Sequence, residues 1–494
     1  MTDLKDATYY ARQIRQGELI PSSLMENTIS ALEKAQPTLH EMAIPFYDKA
    51  RQKAKEMTEK IKAMSVAERE ELPPFYGVPL LIKDLGFMVA DTVMSSGCEW
   101  FKDDKKTVTS ADMQAIESAG FIFVGRPNTP EFGLKTVSDS PYYGSVVLPN
   151  DTTRNAGGSS GGSAAAVKAG LVPIAAGSDA GGSVRVPASD AGLIGLKPTR
   201  DRILAGPGSL RPMNHLSTYS VLTQTTRDLA DYLKIIQRPR FGDSSKNVLP
   251  EQNQSKIKIG YTTDSFMNDN VSQSAKAALN HAIKVLQNLG YIVEPVDLSI
   301  DQADVLNAYY TNLMVETGYK LHNAKPDANE EELAQLDPLT RLCYYVGPNI
   351  PATKYTDIHG KVDQWMSQLM TIFNEYTFIL TPTTADVAMS QADVPVPENI
   401  VKAIDNKQLP NDSLSKQWEV VEATCDHYYW RTPYTMLWNF TGHPAINIPM
   451  WSDDNGLSLG VQLIGNWASD FDLIAVPDAL EATSQLEVNI TPLA

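Results

Sequence analysis

The chain has 494 residues, 43% of them hydrophobic and 20% charged, a composition typical of a globular protein with a large core. Its net charge of -17 at pH 7 argues against nucleic acid or an anionic membrane as the main partner, because both are negatively charged. Three widely spaced cysteines, Cys98, Cys343 and Cys425, form neither a disulfide framework nor a zinc pattern, which favours a reducing cytoplasm.

The chain shows no sign of a membrane segment or of a division into separate domains. Its N-terminal residues lack the apolar core of a signal peptide. The most apolar stretch, residues 164–176, is interrupted by Lys168 and Pro173, well short of the roughly 18 residues that a membrane helix needs. No linker or low-complexity run divides the sequence, so we predict one domain over residues 1–494.

The first predicted elements are helices in the N-terminal part, residues 1–70, where apolar residues recur among alanines, glutamates and lysines. The sequence FYGVPLLIKD at residues 75–84 then predicts a turn and a buried strand that ends at Lys83. A lysine at a strand end most often lies on the surface, so position alone favours a structural interpretation of Lys83.

Further along, helices and strands alternate. An amphipathic helix at residues 110–120 and a strand at 121–125 precede a polar turn at 126–131. Apolar residues at helical spacing predict a helix from Ala275 to Leu289. Strands are predicted at residues 192–197, 256–261, 291–296, 378–380, 445–449 and 459–464.

This alternation predicts an α/β fold, a single large domain with a mixed twisted β-sheet covered by helices on both faces. Residues 300–440 are less regular, and we assign them to the substrate pocket. Their aromatic residues either line that pocket or form a local core: Tyr309, Tyr310, Tyr344, Tyr345, Tyr428, Tyr429 and Trp430.

Two glycine-rich turns lie in the stretch from Asn155 to Pro187. The apolar runs at residues 164–167 and 171–176 predict the order turn, helix, strand, turn. The second turn, DAGGS, can point successive amides at one place, and Ser183 lies there. If a helix opens at Val184, the hydroxyl of Ser183 lies at a helix N-terminus, which favours developing negative charge.

The first turn also satisfies the GxSxG pattern, in which Ser159 would be the nucleophile of a histidine triad. That arrangement needs a strand directly before it, whereas residues 149–154 are loop-like, and His443 is its most attractive histidine. The stretch contains no phosphate-binding GxxxxGK[ST] or GxGxxG motif. A lysine can replace histidine as the base if burial leaves it neutral, and Lys83 at the end of a buried strand suits that role.

Three segments together resemble the amidase signature family. They are GVPLLIKD at 77–84, GGSSGG at 157–162 and AGSDAGGSVRVPA at 176–188, in the order that the family has. The resemblance continues more weakly to TGHPAINIP at 441–449. It implies the amidase signature fold with a catalytic core at 71–200, and an enzyme that is a serine amidohydrolase acting on non-peptide C–N bonds.

The resemblance also implies a role for each matched residue. Ser183 matches the nucleophile, Ser159 the bridging serine that follows a cis peptide, and Lys83 the base. The backbone amides that match the oxyanion hole are those of Ala180, Gly181, Gly182 and Ser183. Three further residues match supporting positions: Ser160, Asp179 and Arg185. The implied reaction hydrolyses a carboxylic amide through an acyl-serine intermediate and releases the acid with an amine or ammonia. Alternation along the strand predicts that Asp84 points away from Lys83.

The resemblance leaves the substrate open. Residues 130–140 do not resemble the corresponding stretch of the glutamyl-tRNA amidotransferase subunit, so we prefer a free-standing amidase, and the layout resembles the branch that hydrolyses cyclic 6-aminohexanoate dimers. Ester or carbamate hydrolysis by the same chemistry stays open, as does a non-catalytic amide-binding or amidotransferase-type subunit. The expected partner is a small-molecule amide, ester or carbamate, with no metal, cofactor, nucleic acid or membrane, and a homodimer is left open.

Overall fold

The computed structural model describes residues 5–207, 210–239, 257–263, 271–488 and 490–492, so the predicted strand at 256–261 begins one residue outside them. In these ranges the α-helices are α1 (Ala7–Gln16), α2 (Pro21–Leu39), α3 (Tyr47–Lys62), α4 (Val66–Glu70), α5 (Ala111–Ser118), α6 (Gly161–Lys168), α7 (Arg185–Ala191), α8 (Thr226–Ile236), α9 (Gln273–Asn288), α10 (Gln302–Ala324), α11 (Glu330–Ala334), α12 (Pro338–Val346), α13 (Ala352–Glu375), α14 (Glu398–Ile404), α15 (Leu414–Tyr429), α16 (Met436–Thr441) and α17 (Asp470–Ala482).

The strands are β1 (Met42–Pro45), β2 (Pro79–Ile82), β3 (Ile122–Pro127), β4 (Asp139–Ser140), β5 (Gly144–Ser145), β6 (Val147–Leu148), β7 (Asp151–Asn155), β8 (Ile174–Asp179), β9 (Ile194–Lys197), β10 (Thr218–Thr223), β11 (Lys258–Tyr261), β12 (Ile292–Pro295), β13 (Phe378–Pro382), β14 (Ala445–Ile448) and β15 (Val461–Gly465). Eleven of them form one sheet in the order β1-β3-β2-β8-β10-β9-β14-β15-β13-β11-β12. Strand β2 is parallel to β3 and β8, whereas β10 is antiparallel to β8 and β9, so the sheet is mixed.

Helices cover both faces of the sheet, which confirms the predicted fold class. On β2, Leu80 and Ile82 pack into a core formed with α1, α5, α8, α9 and α17. Leu81 faces the other side and packs with α2, α3, α6 and α7. Burial on both faces explains why this strand reads as a continuous apolar run rather than an alternating one. Helices α10 and α12–α16 form a further core on the side of Leu81, against Ile379, Ala445 and Ile464 of the sheet.

Three local predictions need correction. The strand β3 continues to Pro127, so the predicted polar turn at 126–131 starts too early. Arg126 is fully buried, and backbone carbonyls accept hydrogen bonds from its guanidinium, which compensates for the loss of water. Residues 149–154, predicted as a loop, contain most of β7, which pairs with β6 outside the main sheet. Residues 300–440 are largely helical rather than irregular.

Helix α10 shows why that helical region was missed. Six consecutive residues, 309–314, are all buried, since the helix packs against several neighbours at once. A helix buried on most sides lacks the single apolar stripe that sequence periodicity detects.

None of the helices in the described part of the chain combines the length and the apolar character that a membrane span needs.

Candidate active site

Lys83 follows β2 directly, and its side chain is completely buried. Its Nζ lies 2.7 Å from Ser159 Oγ and 3.5 Å from the carbonyl oxygen of Ser178. Within the described residues, no carboxylate forms an ion pair with this amine. Burial lowers the pKa of Lys83 to about 7, and the nearby charge of Asp179 opposes that shift only in part.

Asp84 points away from Lys83, as alternation along the strand predicts. Its carboxylate accepts hydrogen bonds from the backbone amides of Ser95 at 2.9 Å and Gly97 at 3.0 Å. The Ser95 hydroxyl donates to the same group, and Arg126 Nε lies 3.9 Å away. Asp84 is therefore saturated by a separate set of donors, and its charge is directed away from the Lys83 amine.

The turn that carries Ser159 contains a cis peptide between Gly158 and Ser159, as the family resemblance implies. A Cβ atom at Gly158 would lie 2.6 Å from the carbonyl of Val137, so the close approach of this segment requires glycine. The carbonyl of Ser159 accepts hydrogen bonds from the hydroxyls of Thr129 at 2.7 Å and Ser138 at 3.4 Å. The turn is thus held by the segment that precedes it in the chain.

Ser160 links the two glycine-rich turns. Its amide donates to the carbonyl of Ser183 at 3.2 Å, and its hydroxyl donates to the carbonyl of Ser178 at 3.4 Å. The turn-helix-strand-turn order predicted for this stretch is confirmed by α6 and β8. Ser159 is 2% exposed, whereas Ser183 is only partly buried, so a ligand can reach Ser183 more readily.

The second turn joins β8 to α7, which begins one residue later than predicted, at Arg185. The amides of Ala180, Gly181 and Ser183 have no hydrogen-bond acceptor among the described residues. Gly182 differs, because its amide donates to Asp179 Oδ1 at 2.8 Å. Three of the four amides expected to form an oxyanion hole are therefore available, and the fourth holds the turn together.

Asp179 and Arg185 form a buried pair that braces this turn. Arg185 Nε and Nη2 donate to the Asp179 carboxylate at 3.0 and 2.9 Å, and Asn439 Nδ2 donates to it at 2.9 Å. Burial alone would raise the pKa of Asp179, but the charge and hydrogen bonds of Arg185 hold it well below its usual range. Arg185 Nη1 also donates to Gln462 Oε1 at 3.0 Å and to the carbonyl of Thr435 at 3.1 Å.

The sequence indicated Asp179 and Arg185 but not Asn439, Gln462 or Thr435. These three lie more than 200 positions further along the chain, and no motif spacing connects them with the glycine-rich turns.

His443 does not take part in this site. Its Nδ1 lies 2.9 Å from the hydroxyl of Thr441, and its ring stacks on Phe373. Burial, with the positive charges of Lys197 and Arg200 nearby, lowers the pKa of His443 to about 3. No hydrogen bond joins it to Ser159 or Ser183 in the described structure, which leaves the histidine-triad interpretation of the GxSxG pattern without a base.

A cavity of about 610 Å³ lies beside this site, although Lys83, Ser159 and Ser183 are not among the residues that line it. Its wall includes Ser178, whose carbonyl contacts Lys83, and Leu85, which with Ser159 Oγ encloses Gly133. Most of the remaining wall is apolar or aromatic, with charged side chains also present: Gly86, Met88, Met94, Ser96, Phe101, Asp104, Lys106, Phe132, Leu210, Arg211, Pro212, Met213, Ser217, Tyr219, Glu316, Lys320, Asn323 and Ala324.

Residues 300–440 contribute to this wall through the C-terminal half of α10. Tyr310, Tyr344, Tyr428 and Tyr429 instead pack in the core between the helices, the second of the two expectations for these aromatics. Tyr309 belongs to the same core, but its ring and hydroxyl also lie directly against Gly181 of the second turn. In the described part of the chain, no group of three or more His, Cys, Asp or Glu side chains is arranged to hold a metal ion.

Comparison with known proteins adds a family assignment to this geometry. The profile of the family described as Amidase matches residues 23–474. A lipoamidase of Enterococcus faecalis is 31% identical over 93% of this chain, and the chain spans only 61% of that protein. The 6-aminohexanoate-cyclic-dimer hydrolase of Paenarthrobacter ureafaciens is 26% identical over 97% of this chain and 94% of its own length.

Solved structures agree with the fold. The structure of 6-aminohexanoate cyclic dimer hydrolase complexed with substrate superimposes with a TM-score of 0.83 at 24% identity, over 100% of both chains. A bacterial aryl acylamidase of the amidase signature family superimposes with a TM-score of 0.81 at 24% identity, over 98% of both chains. At these identities the similarity shows a shared architecture.

Proposed function

The chain belongs to the amidase signature family, which is a family of hydrolases, and on that premise we propose that it hydrolyses carboxylic amides through Lys83, Ser159 and Ser183. The observation that supports this most is the 2.7 Å contact between the Lys83 amine and the Ser159 hydroxyl in a fully buried setting. A serine hydroxyl needs a base to become a nucleophile, and a buried lysine without a carboxylate partner is suited to be that base.

Lys83 can act as a base because its pKa is lowered to about 7. A general base works best when its pKa lies near the working pH, where a large fraction is unprotonated and proton transfer is still favourable. Unperturbed lysine, with a pKa of about 10.4, would be almost entirely charged at neutral pH.

In the proposed relay, neutral Lys83 accepts the proton of Ser159 while Ser159 accepts that of Ser183. The Ser183 oxygen attacks the amide carbonyl carbon, and the carbonyl π electrons move to its oxygen. When the tetrahedral intermediate collapses, the C–N bond breaks and the relay returns the proton to the leaving nitrogen through Ser159. A water molecule then attacks the acyl-Ser183 ester by the same relay, which releases the acid and restores the serine.

The oxygen that becomes negative in this step needs hydrogen-bond donors that are already in place. We assign that role to the amides of Ala180, Gly181 and Ser183, which have no other acceptor in the described structure. Such preorganised donors stabilise the oxyanion without rearrangement during the reaction. Gly182 is removed from this set because Asp179 accepts from its amide, and the Asp179–Arg185 pair keeps the turn in shape.

We propose that the substrate is a small amide that binds in the adjoining cavity of about 610 Å³, whose wall combines apolar and aromatic side chains with charged ones. Lipoamidase, 6-aminohexanoate-cyclic-dimer hydrolase and aryl acylamidase are relatives named for amide substrates, which supports an amide over an ester or carbamate. Esters and carbamates can react by the same acyl transfer and remain the second candidate class.

A panel of substrates tests this proposal. Purified protein is incubated with aryl amides, linear and cyclic aliphatic amides, and matching esters and carbamates, and released acid is quantified. We expect hydrolysis of at least one amide by the wild type and none by Ser183→Ala. A folded wild-type protein that releases acid from none of these compounds would contradict the proposed function.

A further inference from the structure

A segment of the chain that precedes the first glycine-rich turn, residues 128–140, packs directly on Ser159. Thr129 holds the Ser159 carbonyl at 2.7 Å. A Cβ atom at Gly133 would lie 2.9 Å from Ser159 Oγ, and a Cβ atom at Gly158 would lie 2.6 Å from the backbone of Val137. We call this segment the covering segment. It leaves no room for a methyl group between Gly133 and Ser159, so a shift of this segment towards Ser159 would displace the hydroxyl.

The covering segment carries a second buried lysine. Lys135 is 2% exposed, and its Nζ lies 2.6 Å from Asp139 Oδ1 and 2.6 Å from Asp337 Oδ2. Burial alone would lower the pKa of Lys135, but the two carboxylates raise it well above its usual value. Lys135 is thus a permanent cation, whereas Lys83, which has no carboxylate partner in the described residues, is suited to lose its proton.

Asp337 connects this cation to the helical layer. It caps the N-terminus of α12, where its Oδ1 accepts from the Leu339 amide at 2.9 Å. Its own amide donates to Glu131 Oε2 at 3.0 Å, so the covering segment is attached to the start of α12 at two residues, Glu131 and Lys135. These contacts therefore connect the start of α12, through the buried side chains of Asp337 and Lys135, to the covering segment that packs on Ser159.

Two hydrogen bonds between neutral groups also connect the covering segment to the helical layer. The Thr136 hydroxyl donates to the carbonyl of Tyr428, and the Tyr429 hydroxyl donates to the carbonyl of Leu134, both at the end of α15. Neutral hydrogen bonds tolerate small shifts, whereas a buried cation between two carboxylates is destabilised sharply when either contact opens. The ionic cluster is the element that best defines the position of the covering segment.

We propose that Lys135 is a positioning residue, whose ion pairs with Asp139 and Asp337 fix the covering segment and thereby hold Ser159 Oγ in contact with Lys83. The inference rests on the proposed function, because it assigns Lys135 to the Lys83–Ser159–Ser183 relay. Buried ion pairs often add little to stability, and setting one geometry among several is a role they can fill instead. Misplacement of a reacting group by about 1 Å can lower a rate by about 100-fold, so a loosened segment would be visible in kcat.

The test compares Lys135→Met, Lys135→Arg, Asp139→Asn and the neutral triple variant K135M/D139N/D337N. We measure kcat, KM, melting temperature and the rate of serine labelling by a fluorophosphonate. Lys135→Met and the triple variant are expected to lose at least about tenfold in kcat and labelling rate, with KM within about threefold of wild type. Lys135→Arg, which keeps a positive charge beside both carboxylates, should recover part of that loss.

The matched control is the fully buried pair of Arg202 and Asp470, 2.9 Å apart, whose side chains form hydrogen bonds to each other, to Thr199 and to Gln237. R202M/D470N should lower the melting temperature but keep the wild-type kcat. If a folded triple variant keeps kcat and labelling rate within about twofold of wild type, or if the control loses as much kcat at a similar melting temperature, the positioning role is contradicted.

The proposal can still be tested if some of these variants do not fold. The triple variant removes the Lys135 cation together with the charges of Asp139 and Asp337, and should fold where Lys135→Met does not. If neither folds, Asp139→Asn decides, since Asp139 is 19% exposed and tolerates the change; unchanged kcat there would overturn the proposal. Wild-type hydrolysis is measured on the same substrate, so failure of the proposed function appears in the wild type, whereas failure of this inference appears in the variants alone.

Discussion

Lys83 and Asp84 are adjacent in the chain but bind separate groups: Lys83 Nζ lies 2.7 Å from Ser159 Oγ, and the Asp84 carboxylate accepts from the amides of Ser95 and Gly97. A carboxylate facing the amine would raise the pKa of Lys83 and keep it protonated. Because Asp84 is directed elsewhere, burial is the larger effect, and the pKa of Lys83 falls to about 7.

The first prediction is that the rate of acylation rises with pH as Lys83 loses its proton. Below pH 7 the Lys83 amine is mostly protonated and cannot accept a proton, so kcat/KM should rise through about pH 7 and level off above it. Lys83→Ala should lower kcat by about 10² to 10⁴. Lys83→Arg should not restore it, because guanidinium stays charged. Steady-state rates across the pH range check this, and a profile unchanged in Lys83→Ala would contradict it.

The second prediction concerns His443, the base of the alternative histidine triad. It is buried against Phe373 and hydrogen-bonded to Thr441, and in the described structure no hydrogen bond joins it to Ser159. His443→Ala should therefore lower stability by about 1 to 3 kcal/mol while the pre-steady-state acylation rate stays within about threefold of wild type. A loss of acylation equal to that of Ser183→Ala would restore the histidine interpretation.

The third prediction uses Gly133, which has a φ of +69° and faces Ser159. A Cβ atom there would lie 2.9 Å from Ser159 Oγ and 2.8 Å from Leu85 Cδ2, so Gly133→Ala should displace the hydroxyl and lower kcat by about 10-fold or more. Gly456→Ala is the matched control, because Gly456 has a φ of +77° and a Cβ atom there meets nothing within 4 Å. Equal kcat values for the two variants would show that Gly133 does not shape the relay.

The fourth prediction concerns the brace behind the oxyanion turn. Arg185→Lys keeps a positive charge, but an ammonium has three donors, whereas the guanidinium makes five hydrogen bonds here, two to Asp179 and one each to Thr435, Gln462 and Asn439. We expect a loss of about 1 to 3 kcal/mol in the free energy of unfolding and a lower kcat. Arg51→Lys, at a surface pair with Glu26, serves as the control for denaturant melts and kinetics.

The local sequence around the two turns predicted much of this site. The buried strand before Lys83 and the turn-helix-strand-turn order from Asn155 to Pro187 both follow from short-range patterns, since apolar runs and glycines act on their immediate neighbours. The cis peptide before Ser159 was expected from the family resemblance alone.

Long-range features could not be predicted in this way. Strand β10, TYSVLT, lies between β8 and β9 and is buried almost throughout, so no alternation marks it. Asn439 and Gln462 reach Arg185 from more than 250 positions away, which only the sheet order and helix packing determine. Lys135 and Asp337, separated by 202 positions, meet for the same reason.

The most direct test of the account is to identify the acylated residue. Wild-type protein is trapped with a slowly hydrolysed aryl ester or a fluorophosphonate, and the adduct is located by intact-protein mass spectrometry and peptide mapping. We predict one adduct per chain, on Ser183, absent from Ser183→Ala and formed slowly in Lys83→Ala. An adduct on Ser159 or Ser160, or hydrolysis that persists in Ser183→Ala, would contradict the assignment of Ser183 as the nucleophile.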